Sequence, residues 1–184
     1  MDRGDDNLLR AAIGLLEERG HNVVGVADLA PELLSPSGVL GARSPTETDR
    51  VSIATGLGLL RALSPFDIGQ AALVRGERIL AVEGPEGTDR MLARVRGGFG
   101  LAMFGRARLG GVLVKVAKTG QDRRVDLPAI GPRTVLYAAR SGLAGIAVGA
   151  GETLILERER TIAVADRLGL FVVGVDANAE TFPP

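Results

Sequence analysis

The chain has 184 residues, no cysteine, one histidine and a formal net charge of zero, with 46% hydrophobic and 3% aromatic residues. That length and hydrophobicity suit one ordinary domain with a substantial core. The composition excludes disulfides, zinc–thiolate sites and cysteine nucleophiles. It also lacks the positive field and stacking aromatics that nucleic-acid binding uses, so nucleic acid is not an expected partner.

Asp5 or Asp6 can cap a first helix running to about Arg19, with Leu8, Leu9, Ala12, Ile13, Leu15 and Leu16 as its apolar stripe. Gly20 ends it, and residues 22–27 (NVVGVA) predict a short strand. Residues 29–43, with two prolines and two glycines, read as a long connection. Ser44-Pro45-Thr46-Glu47 matches a capping box with proline at the first helical position, opening a helix to about Leu63. Residues 71–74 and 78–82 flank Arg75-Gly76-Glu77 as a hairpin. Residues 83–88 (EGPEGT) form a glycine-bearing loop before a short helix over 89–95, with Thr88 as its cap. Residues 97–110 hold five glycines and read as a mobile loop, followed by a strand over 111–116. Gly131-Pro132 opens a helix through Arg140. Residues 144–148 and 153–157 predict a second hairpin, then come a helix over 158–168 and an apolar strand over 170–175. Helices alternate with strands along most of the chain, so the expected class is α/β, or α+β given two hairpins. The architecture would be a mixed sheet with flanking helices in one compact domain. Its expected span is 44–184, with 1–43 as a helix–strand lead-in and connection.

No apolar run approaches the ~18–20 uncharged residues a membrane span needs. The acidic start lacks the apolar core of a signal peptide, so a soluble cytoplasmic protein is expected. The one histidine, His21, sits in a predicted turn, and chemistry is left to carboxylates, lysines, arginines, hydroxyls, backbone amides and a hard cation.

Three polar segments lie at or beside strand ends, where ligands collect in open α/β sheets. Asp67-Ile68-Gly69-Gln70 is either a turn entering a strand or a ligand contact. In residues 83–89, Thr88 and Asp89 either satisfy the following helix's amides and dipole, or Gly84, Gly87 and the Thr88 hydroxyl receive an anion. The third segment, KVAKTGQDRRVDLP over 115–128, begins inside an apolar strand. An ammonium at Lys115 would cost several kcal/mol to bury without a paired carboxylate or a bound phosphate. Lys118, Gln121, Arg123 and Arg124 add donors for phosphate oxygens, while Asp122 and Asp126 are acceptors for Mg2+ or Mn2+. The bland alternative is a surface loop laced with weak salt bridges.

The segments DIGQAALVRGERILAVEGPEGTDRML, GVLVKVAKTGQDRRVDLPAIGPRT, SGLAGIAVGAGETLIL and ADRLGLFVVGVD occur in order over essentially the whole chain. They resemble the UDP-2,3-diacylglucosamine pyrophosphatases of the LpxI type. That resemblance implies hydrolysis of UDP-2,3-diacylglucosamine to lipid X and UMP in lipid A synthesis. Water would attack the α-phosphorus with a divalent cation, at the cytoplasmic face of the Gram-negative inner membrane, with the protein peripheral to it. The family's essential aspartate falls on Asp126, and its ligand contacts on Gly69, Gln70, Thr88 and Lys115, with Lys118 and Gln121 nearby. On this reading Asp126, Lys115 and Asp122 carry catalysis, Asp126 and Asp122 take the metal, and Asp89 and Arg124 join the substrate contacts. Phe99 and Phe104 would touch acyl chains. Thr119 stands where family members often have proline. Those proteins begin with a Rossmann-like domain, so a separately encoded N-terminal half or a homo-oligomer is an expected partner. The competing expectations are a module that binds lipid or nucleotide without turnover, and a domain whose strand-end charges only pair with one another.

Overall fold

A computed structural model describes residues 5–95, 110–118, 122, 124 and 126–178. Their helices are α1 (Asp5–Glu18), α2 (Val26–Leu29), α3 (Glu47–Leu63), α4 (Thr88–Val95), α5 (Pro132–Arg140) and α6 (Arg158–Leu168). The strands are β1 (Gly38–Val39), β2 (Ala71–Arg75), β3 (Arg78–Val82), β4 (Val112–Lys115), β5 (Ala129–Ile130), β6 (Gly145–Gly149), β7 (Leu154–Ile155) and β8 (Phe171–Val175).

A mixed six-stranded sheet runs in the order β1-β8-β6-β4-β2-β3, and β5 pairs with β7 in a small second sheet. At its centre β4, β6 and β8 are parallel, while β2 lies antiparallel to both β4 and β3. Both faces of the parallel strands are covered, which is why they read as unbroken apolar runs rather than alternating ones. Leu113, Ile146 and Val172 point into a core that Met91 and Leu92 of α4 and Val135 of α5 complete. Val112, Val114 and Val173 point the other way, onto Ile53 and Leu57 of α3. Each fully buried side chain of this size contributes roughly 1.5–3 kcal/mol against the chain entropy of folding. The α/β expectation therefore holds, with the core packed on both faces of the central strands.

Four local expectations change. Residues 22–25 are not a strand: Val24 and Val26 remain substantially exposed, and α2 starts at Val26. The Gly25 N–H donates to the Asp28 carboxylate at 3.0 Å, so this stretch turns instead of presenting a ladder edge. The cap of α3 is Thr46, not Ser44. A competing match two residues on, Thr46–Asp49, closes reciprocally, with the Asp49 N–H donating to Thr46 Oγ1 and the Thr46 N–H donating to Asp49 Oδ2 at 2.9 Å. Thr88 does not cap α4; it is the first helical residue, and the Gly87 carbonyl accepts the helix's opening bond from Met91.

The fourth change is larger. β6 and β7 do not form a hairpin, because both edges of β6 are already taken by β4 and β8. β7 therefore turns away and pairs with β5. Gly149 permits that exit: a Cβ there would collide with the Glu152 side chain folded back over it. In α1, Ile13 is buried but Leu15 and Leu16 remain largely exposed. Gly38 and Val39 pair with Gly174 and Val173, so residues on both sides of position 43 contribute to one sheet.

Candidate active site

Along β4 the side chains alternate, so Lys115 leaves on the same face as Leu113, toward α4 and α5. There it lines a cleft of about 770 Å3 together with Thr88, Gly131, Arg133, Leu136 and Leu156. The parallel strands end on this side, the usual ligand edge of such sheets. The cleft has a charged part, where Lys115, Arg133 and Arg160 stand beside Glu83, Glu86, Asp89 and Glu157, and an apolar part, with Ile130, Leu136 and Leu156.

A chain of hydrogen bonds starts at Lys115. Its Nζ donates to Thr88 Oγ1 at 2.9 Å, and Thr88 Oγ1 donates to Glu83 Oε1 at 2.6 Å. The other oxygen, Glu83 Oε2, accepts the Gln70 backbone N–H at 2.8 Å. Gln70 Nε2 then donates to Asp126 Oδ2 at 3.4 Å. Gly69 makes this arrangement possible, since any Cβ would run into the backbone carbonyl of Glu83. The structure therefore brings together Gly69, Gln70, Thr88, Lys115 and Asp126 out of three separate stretches of sequence. Asp126 is not part of the cleft wall; Gln70 joins it to the network.

Burial pushes the Lys115 ammonium below its usual pKa, and the negative charges of Glu83, Asp89 and Asp126 pull it back up. Glu83 is the residue that the sequence reading did not single out. Its signal was available: a carboxylate ending a strand and followed by glycine, with a threonine five residues on. Asp89 accepts from Arg133 Nε at 2.7 Å, tying the first turns of α4 and α5 together across the cleft. This pair holds the Arg133 guanidinium above its usual pKa.

Other expected residues lie elsewhere. Lys118 pairs with Asp67 at 2.5 Å and lines a second, smaller cavity of about 110 Å3 on the α3 side, with Arg61, Ser64 and Glu152. Arg124 grips Asp122 through Nε and Nη2, at 3.0 and 2.8 Å, and reaches Glu17 of α1 with Nη1 at 2.6 Å. These bonds hold the Asp122 carboxyl down at about 2 and raise the Arg124 pKa. The Asp126 N–H donates to the Asp122 carbonyl at 3.2 Å, so the Arg124–Asp122 clamp and Asp126 belong to one turn. Gln121, Arg123, Thr119, Phe99 and Phe104 lie outside the described residues.

The donor set discriminates between the two aspartates as holders of a hard cation. Both oxygens of Asp122 face the Arg124 guanidinium, whose charge repels a cation, and Asp126 Oδ2 accepts from the Gln70 carboxamide. Among the described residues no group of three or more acidic or histidine side chains converges. Asp126 fits the arrangement typical of Mg2+, one or two carboxylates completed by substrate phosphate and water.

Comparison with known proteins gives a consistent picture. The model of the LpxI C-terminal domain matches residues 36–173. UDP-2,3-diacylglucosamine pyrophosphatase LpxI of Caulobacter vibrioides is 46% identical over 175 residues, 95% of this chain and 62% of the relative. The chain thus spans less than two thirds of the length of that curated relative.

Proposed function

Because the chain belongs to the LpxI C-terminal domain family, we propose that it hydrolyses the diphosphate of UDP-2,3-diacylglucosamine to lipid X and UMP in lipid A synthesis. The observation that carries this reading is the half-buried Lys115 ammonium, held in a cleft and linked through four hydrogen bonds to the Asp126 carboxylate. A fixed cation in a poorly solvated cleft stabilises charge developing on nonbridging phosphate oxygens with little reorganisation. Lys115 uses one of its three N–H donors on Thr88, leaving two to meet those oxygens. Arg133, at the start of α5, lies on the same wall in an ion pair with Asp89. Leu136 and Leu156 offer apolar surface to an acyl chain.

Asp126 is the residue to hold Mg2+ or Mn2+, while Asp122 keeps Arg124 in place. When bound, the cation neutralises charge on the diphosphate. Water adds to the α-phosphorus as the bond to the bridging oxygen breaks; that oxygen leaves on the lipid X phosphate, and the water's proton passes to a carboxylate or to solvent. With no cysteine in the chain, a carboxylate such as Asp126 is the candidate base. A lipid substrate brings the protein to the cytoplasmic membrane surface. No helix among the described residues is long and apolar enough to cross the bilayer.

The test is UMP release by the purified chain with Mg2+ or Mn2+, beside Asp126→Ala. A loss of about 10²-fold or more is expected, and equal rates would end the assignment. Calorimetric binding of lipid X with no UMP release in any condition would make the chain a binding module.

A further inference from the structure

We propose that Glu83 is a positioning residue that orients Lys115 through Thr88 and Asp126 through Gln70, so that one carboxylate sets the spacing between the ammonium in the cleft and the carboxylate beyond its wall. The inference rests on the phosphate-binding reading of that cleft. Its basis is geometric. Glu83 is 8% exposed, and both oxygens are used, on a hydroxyl and on a backbone amide from opposite sides. A threonine hydroxyl has a single proton. Given to Glu83 at 2.6 Å, that proton cannot also serve a ligand, and the lone pairs of Oγ1 are turned toward Lys115. Thr88 therefore acts as a relay that aims the ammonium rather than as a phosphate donor. On the other side, the Gln70 N–H bond fixes the backbone from which the carboxamide reaches Asp126.

A buried carboxylate with both oxygens in charge-assisted bonds is costly to disturb in one partner only. Glu83→Gln keeps the shape but replaces one acceptor oxygen by an NH2 group, which cannot accept from both Thr88 and Gln70. The Thr88 proton is then free to turn toward Lys115, and the ammonium loses its aim. The charged groups around Lys115 are Glu83 from the end of β3, Asp89 from α4 and Asp126 from the following loop, with Arg133 bound to Asp89. Glu86, Glu157 and Arg160 line the same cleft.

The chain offers a direct probe, because its lysines are Lys115 and Lys118 and no others. Protein labelled with 13C at lysine Cε gives two signals whose titration follows each ammonium separately. Glu83→Gln should move the Lys115 midpoint down by about one pH unit and leave Lys118 in place. Thr88→Val should also lower Lys115, and Thr88→Ser should keep it at the parent value. A Lys115 midpoint unmoved in both Glu83→Gln and Thr88→Val overturns the proposal. If Glu83→Gln fails to fold, judged by loss of dispersed amide signals, the Thr88 pair decides. In the UMP assay a positioning role lowers kcat about tenfold or more with KM changed less than about threefold. A shifted lysine in a chain that releases no UMP sinks the functional reading and keeps this one. UMP release with an unmoved lysine does the reverse.

Discussion

Lys115 and Lys118 leave the same strand end three residues apart and finish in opposite environments. Lys115 points to the α4–α5 side, half-buried, with a hydroxyl as its hydrogen-bond partner and three carboxylates around it. Lys118 points to the α3 side and meets the half-exposed Asp67 at the rim of a cavity too small for a nucleotide. In sequence the two look like one phosphate-binding pair. The comparison teaches that a charge cluster at a strand end can be split between layers, because Lys115 is the last residue of β4 and leaves on the α4–α5 face, whereas Lys118 lies beyond the strand in the segment that turns to the α3 side. What makes a lysine useful here is reduced solvation with partial compensation, not its membership of a charged run.

Three measurements sharpen this contrast. The largest effect is expected from Lys115→Met, which should lower UMP release about 10²–10³-fold, the usual loss on removing one preorganised donor to a developing oxyanion. Lys118→Met should cost less than about tenfold; the reverse ranking would relocate the site to the α3 side.

The second measurement is stability. Burial is the dominant influence on Lys115 and disfavours its charged form. Lys115→Met removes that ammonium alone and leaves the buried Glu83 carboxylate without its compensating charge, so it should lower the unfolding free energy in urea at neutral pH. Lys118→Met, which breaks a partly exposed ion pair, should change it by about 1 kcal/mol or less. The sign in pH follows. A lysine whose folded pKa lies below the usual 10.5 is protonated more in the unfolded chain, so stability rises with pH between the lowered value and 10.5. Lys115→Met should remove that rise, and Lys118→Met should keep it.

The smallest effect concerns the turn that carries Asp126. Arg124 holds Asp122 at about 2, against an ordinary 3.8. The clamp therefore contributes stability above pH 3.8 that is lost as the pH falls toward 2. Asp122→Asn should flatten the acid side of the stability curve by a small amount, measured by thermal unfolding between pH 5 and pH 2.5. A curve identical to the parent would show that the clamp does not stabilise the fold.

Much of this protein was settled by the sequence alone, wherever the determining chemistry lies within a few residues. Pro132 at the first turn of α5, the hairpin turning at Gly76 between β2 and β3, the span of α6 and the apolar runs of β4 and β8 all match the fold, as does the order of motifs that marks the family. The tertiary structure decided what depends on which partner is free. It left residues 22–25 without a ladder and sent β7 to β5 because β6 was already flanked. It also gave Arg124 a partner 107 residues away in Glu17, and made Glu83 the junction between Lys115 and Asp126. Helix caps and hairpin turns close their hydrogen bonds locally and so leave a readable pattern. Strand neighbours and buried polar networks are chosen by competition among distant groups for the same unsatisfied donors and acceptors, and that competition is resolved only when the chain packs.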